Sequence, residues 1–157
     1  MAPRDEQEVF AVKIREVMTQ RPVTCSPTDV CAQAATLMKQ EDCGSIPVVE
    51  DGRLVGIVTD RDIVVRAVAA GKDPKTLRVA EIMTADPISV SPDDDVSEAA
   101  KVMAERQVRR LPVVEKGRLV GLLVTAQVAR HENARETGET IKEISEPPSG
   151  RGSHARG

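Results

Sequence analysis

This 157-residue sequence predicts an α/β (α+β) fold made of two copies of one β-α-β-β-α unit packed as a pseudo-twofold pair. Two observations carry that prediction: an internal duplication, and a hairpin signature present in each copy. Shifting the chain by 65 residues aligns Ile14–Asp62 with Val79–Gln127 without a gap, and 19 of the 49 pairs are identical. Self-similarity at a fixed period marks a repeated supersecondary unit. In each copy an apolar stretch ending in Pro-Val-Val-Glu meets a second apolar stretch across a Gly-containing turn, Asp51-Gly52 or Lys116-Gly117. Such a turn needs positive φ, which glycine adopts freely.

The elements follow in order. Val23–Cys25 and Ile88–Val90 read as short strands, each ended by a Ser-Pro whose proline cannot continue a ladder. Val30, Ala34, Leu37 and Met38, and then Val96, Ala99, Val102 and Met103, recur at helical spacing, so one helix face per copy is buried. The stretches ending in Glu50 and Glu115 and the runs Leu54–Val58 and Leu119–Val124 read as hairpin strands covered on both faces, because Val, Ile and Leu run on without alternation. Asp60–Ala70 and Thr125 to about Glu136 have the length and composition of closing helices.

The predicted organisation is an extension over 1–11, repeats over 12–70 and 79–136, a Gly- and Pro-containing link over 71–78, and a tail over 137–157 whose end is expected to be disordered. A unit of this size buries too little surface to be comfortable alone, so the copies are expected to share a core. That core must be aliphatic, since the chain has no Trp, no Tyr and one Phe.

Composition narrows the function. No apolar run approaches the ~20 residues of a membrane span, and the acidic start differs from a signal peptide. A cytoplasmic protein without membrane attachment is expected. A net charge of -3 with interspersed signs argues against duplex nucleic acid, and the near absence of aromatics leaves little for base stacking. Cys25, Cys31 and Cys43 are an odd set without C-x-x-C spacing, so reduced thiols are the default over a Cys25–Cys43 link. His131 and His154 are isolated, so no metal centre is expected; no triad of nucleophile, base and acid suggests an enzyme, and no catalytic residue is assigned.

The repeated unit, its Pro-Val-Val strand, its hairpin and the stretch Gly56-Ile57-Val58-Thr59-Asp60-Arg61-Asp62 together resemble the CBS domain, which occurs as tandem pairs. In finer detail the chain is similar to the short stand-alone CBS-pair proteins of actinobacteria. The resemblance covers both halves. It implies a regulator or sensor that needs no cofactor, binds an adenosine-containing ligand (AMP, ADP, ATP, S-adenosylmethionine or NAD) at one cleft between the repeats, and assembles as a homodimer. The alternative is a ligand-free dimeric interaction module.

The family's ligand signature is Gly, two apolar residues, Thr or Ser, two variable residues and Asp, and the first repeat carries it complete. Gly56 would let a ligand approach the strand, Thr59 would offer a hydroxyl beside free helix amides, and an ionised Asp62 would accept from ribose hydroxyls. The rival reading makes Thr59 and Asp62 a helix cap. The resemblance adds Met83 and Ile88 as walls for adenine, Arg109 and Arg110 as phosphate charges, and Ser45 as an uncharged donor. Arg109 and Arg110 could equally be solvated, or paired with Glu105 or an acid of a partner. In the second repeat Val124 and Gln127 replace the hydroxyl and the carboxylate. That copy is expected to keep only the architecture, with Thr125 capping its helix.

Overall fold

The strands and helices form where continuous apolar runs, helical spacing and turn chemistry place them. A computed structural model describes residues 11–137. Both repeats run in the same order. The first has β1 (Thr19–Gln20), α1 (Cys31–Glu41), β2 (Ser45–Glu50), β3 (Arg53–Thr59) and α2 (Asp60–Asp62), which passes into a π-helical segment, Ile63–Val68. The second has β4 (Thr84–Ala85), α3 (Val96–Arg106), β5 (Arg110–Glu115), β6 (Arg118–Val124) and α4 (Thr125–Thr137). The mixed α+β class expected from the sequence is the class observed. The extension over 1–10 and the tail over 138–157, including its expected disorder, lie outside the described residues.

By contact the chain divides into two units. One contains the stretch ending at Gln20, Ser89–Val113 and the stretch from Val120 onward; the other contains Arg21–Ile88 and Val114–Leu119. Each repeat's opening arm thus clusters with the body of the other repeat. In the first unit Ile14 N–H donates to Asp94 O and Arg15 N–H to Pro92 O, both at 2.9 Å, and Ile14 is fully buried. Arg15 also reaches Asp93 Oδ1 at 2.8 Å, which holds the Asp93 carboxyl below the usual carboxylate range. In the second unit Val79 N–H donates to Asp29 O at 2.8 Å and Ala80 N–H to Pro27 O at 3.0 Å, with Val79 fully buried.

Within the second unit β2 and β3 pair antiparallel from Glu50↔Arg53 to Ser45↔Thr59, with an irregularity at Val48/Val49, and β4 adds to the far side of β3. Their core is Cys25, Cys31, Ala34, Met38, Ile46, Val48, Val58, Ala67, Leu77, Val79 and Ile82. In the first unit β1 pairs antiparallel with β6. Ile14, Val96, Ala99, Leu111, Val113 and Leu123 are almost fully buried there.

Three local features differ from the sequence reading. Val23–Cys25 and Ile88–Val90 are not strands but single parallel bridges, Cys25↔Val48 and Val90↔Val113. Prolines at 22, 27, 87 and 92 leave room for little more, and the ladder shrinks to Cys25 N–H to Pro47 O (3.0 Å) and Val49 N–H to Cys25 O (2.8 Å) in the first repeat. The two-residue strands lie earlier, in the arms. The helix expected over Asp60–Ala70 turns π after its first turn, with Ala69 N–H bonded to Val64 O at 2.8 Å. The wider turn buries Ala67 and leaves Val64 58%, Val65 46% and Val68 59% exposed. The predicted turns are present: Asp51 and Gly52 have φ of 53° and 80°, and Lys116 and Gly117 repeat the geometry at 55° and 83°.

Candidate functional site

The first signature sits where β3 becomes α2, and its two polar residues hold each other. Thr59 N–H donates to Asp62 Oδ2 at 2.9 Å, and Asp62 N–H donates to Thr59 Oγ1 at 3.0 Å. This is a reciprocal capping box, which satisfies amides that a helix start otherwise leaves open. It also fixes both rotamers. The Thr59 hydroxyl accepts in that bond and retains its own O–H to donate, while Asp62 retains the capacity of Oδ1. Arg66 Nε stands 3.9 Å from that Oδ1, and Arg66 Nη1 donates to Ile82 O at 3.0 Å. The Asp62 side chain is only 12% exposed.

Ser45 is the cross-strand partner of Thr59, and Asp60 N–H donates to Gly44 O at 2.9 Å, so Ser45, Thr59 and Asp62 gather at one end of the β2–β3 hairpin. The β4 arm brings Met83 to the same strand. A Cβ at Gly56 would stand 2.5 Å from Met83 Sδ and 2.9 Å from Thr84 O. The room that glycine creates at this position is therefore filled by the chain's own β4 arm, and the strand approach alone requires it. Ile88, half-buried, closes the unit.

Arg109 and Arg110 belong to the other unit. There Thr125 N–H and Thr125 Oγ1 both donate to Arg109 O at 2.9 Å, and Arg110 opens β5. Thr125 does not cap α4 as the sequence suggested: it is the helix's first residue and not the one before it, the place from which a side chain caps, and its hydroxyl points back to donate to Arg109 O. Gln127 takes over half of the box: its Oε1 accepts from Val124 N–H at 2.9 Å, and its Nε2 donates to Thr19 Oγ1 at 3.1 Å. The acid of the first repeat and the amide of the second thus make the same backward bond, which sequence reasoning missed for Gln127. The shared acceptor oxygen three residues into the helix was the available signal.

Cys25, Cys31 and Cys43 are free thiols. Burial, helped by the charges of Asp29 and Cys31, pushes the Cys25 thiol up to about 12, and burial with the Glu81 charge also raises Cys31. Among the described residues no group of three or more His, Cys, Asp or Glu is placed to hold a metal ion, and no helix is long and apolar enough to cross a membrane.

The CBS domain model matches residues 14–68 and 79–131. The CBS domain-containing protein YhcV of Bacillus subtilis is 39% identical over 133 residues, covering 84% of this chain and 94% of the relative. Hypoxic response protein 1 of Mycobacterium tuberculosis is 35% identical over 134 residues, covering 85% and 94%. Among solved structures, that of Hypoxic Response Protein I with two coordinated zinc ions superposes with a TM-score of 0.71 at 36% identity, covering 76% of this chain and 98% of that one. CBSX2 in complex with AMP gives 0.69 at 27% identity, covering 79% and 98%. The CBS domain pair of MJ0100 in complex with 5-methylthioadenosine and S-adenosyl-L-methionine gives 0.68 at 26%, covering 80% and 98%.

Proposed function

The chain belongs to the CBS-domain family, and on that premise we propose that it is a regulatory CBS-pair protein, not an enzyme, that binds one adenosine-containing ligand at the first signature. The observation that carries the proposal is the Thr59–Asp62 box with Ser45 across from it: a hydroxyl donor and a carboxylate acceptor held rigid at the end of a strand. The carboxylate suits the two hydroxyls of a ribose and disfavours a phosphate at the same spot, so the sugar belongs at Asp62. Met83 and Ile88, which belong to the same unit as Thr59 and Asp62, are assigned to the base. Neighbours solved with AMP and with S-adenosyl-L-methionine support the ligand class.

The protein acts in the cytoplasm as a homodimer, with the exposed apolar group Val64, Val65 and Val68 as the surface to be covered by the second copy. Kinship with a hypoxic response protein supports a role in a stress response. The test is a thermal shift with AMP, ADP, ATP, S-adenosylmethionine and NAD. A ligand at ten times its Kd adds about 1.4 kcal/mol, or about 3–6 °C for a chain of this length. One compound of the panel should produce that shift, and Asp62→Ala should abolish it. No shift with any of them would leave a ligand-free interaction module.

A further inference from the structure

The second signature, read from sequence as architecture alone, has a chemistry of its own one turn further into α4. Gln127 spends both ends of its amide, on Val124 N–H and on Thr19 Oγ1, so its orientation is fixed. Beyond it Gln127, Arg130 and His131 line, with Val17, a cavity of about 340 Å³. His131 Nε2 is buried and has no hydrogen-bond partner. A buried polar atom left so calls for an occupant that satisfies it.

The same positions of the first repeat are differently built. There the residues are Asp62, Val65 and Arg66, and the Arg66 guanidinium is spent on Ile82 O beside Asp62. That set carries one acid and one base. The second repeat exchanges the acid for a neutral amide and the valine for Arg130, so that among the described residues the cavity is lined by a cation and no carboxylate. The neighbouring acid, Glu132, lines a separate cavity with Met103, Thr125 and Val128, between α3 and α4.

We infer that the cavity beside Gln127 is a site for a small oxyanion, of the phosphate class, held by the Arg130 fork and an N–H of His131. An arginine presents paired donors matched to an oxyanion, and a ring N–H adds a third direction. The chain would then read two signals through its two copies: a nucleoside at the first signature and an anion at the second.

The chain's two histidines, His131 and His154, make the test direct. Their ring carbon–proton resonances are followed while potassium phosphate replaces potassium chloride at constant pH and ionic strength. The proposal predicts a saturable movement of the His131 signals with His154 still. Arg130→Gln and Gln127→Asp should each weaken phosphate by about tenfold while the thermal midpoint stays near that of the parent. Gln127→Asp keeps the backward bond, as Asp62 does in the first copy, but gives up the amide's bond to Thr19; Thr19→Val, which removes that bond and adds no charge, is its control and should leave the phosphate titration unchanged. Unmoved His131 signals, parallel movement of both histidines, or an unchanged titration in Arg130→Gln would each overturn the proposal. A phosphate response lost in Asp62→Ala would also overturn it, since the anion would then sit at the first signature. AMP as a further arm separates a free anion from a nucleotide's phosphate: an effect on His131 seen with AMP and not with inorganic phosphate refutes the free-oxyanion site. A panel of nucleotides that fails to bind while phosphate still moves His131 removes the proposed nucleoside function and leaves this site standing.

Discussion

Gly56→Ala is a sharp probe of how β3 is built, because an identical change at Gly121 supplies its control. Neither glycine has positive φ, so the cost is steric and not conformational. At Gly56 the new methyl meets Met83 Sδ at 2.5 Å and the backbone oxygen Thr84 O at 2.9 Å. At Gly121 the three nearest atoms all belong to the Met18 side chain. A methionine side chain can swing aside, whereas Thr84 O cannot withdraw without disturbing the pairing of Ile57 with Thr84. Overpacking of this kind costs about 1–3 kcal/mol, offset by up to about 1 kcal/mol gained when alanine replaces glycine in a strand. Gly56→Ala should therefore lose about 1–2 kcal/mol, a fall of about 2–8 °C in midpoint, and Gly121→Ala well under half of that. Met83→Ala added to Gly56→Ala should recover only part of the difference. Far-ultraviolet circular dichroism under urea and heat is the suitable readout, since the chain has no Trp or Tyr for fluorescence. Equal stability of the two single variants, or a costlier Gly121→Ala, would refute the assignment of the backbone clash.

The cap bonds predict that Thr59→Val, which copies the second repeat's Val124, destabilises by about 1 kcal/mol in urea unfolding even without ligand. Lys116→Asn should stabilise by about 0.5–1 kcal/mol, because asparagine accepts the left-handed conformation that lysine adopts there at φ 55°. At pH 8 a thiol reagent should modify half-buried Cys43 first and reach buried Cys25 and Cys31 only on unfolding. Because the folded Cys25 thiol is raised to about 12, its contribution to stability is complete below the ordinary thiol range and is lost as pH rises from there toward that value, so unfolding free energy should decline above about pH 9. Asp93 works in the opposite sense: its carboxyl is depressed beside Arg15, so its contribution is present above the ordinary Asp range and disappears on acidification, a decline that Asp93→Asn should flatten in an acid titration.

The duplication made most of the fold legible. Once Asp51-Gly52 and Lys116-Gly117 were aligned, both hairpins and the helices before them followed from turn chemistry and apolar spacing, and the structure contains all four elements in each setting. The exchange of arms was not legible, because the bonds of Ile14 to Asp94 and of Val79 to Asp29 join backbone atoms whose partners no local pattern names. The π turn was missed for a related reason: Ile63–Val68 has helical composition, and the spacing of its valines does not distinguish wider from ordinary turns. At the candidate site the sequence offered Thr59 and Asp62 either as a cap or as ligand groups, and the structure displays the cap together with unspent donor and acceptor capacity. Gly56 needed coordinates, since only they reveal Met83 and Thr84 in the space beside it. Arg130 and His131 were invisible as a pair because a cavity between the helix and Val17 gives them their meaning.

Titration calorimetry of AMP, ATP and S-adenosylmethionine into the protein and into Asp62→Asn tests the central claim most directly. The account predicts one nucleoside bound per chain by at least one of these compounds, with affinity falling by about tenfold or more in Asp62→Asn as the ribose loses its charged acceptor. Two nucleosides per chain, or one whose affinity is the same in Asp62→Asn, would contradict it.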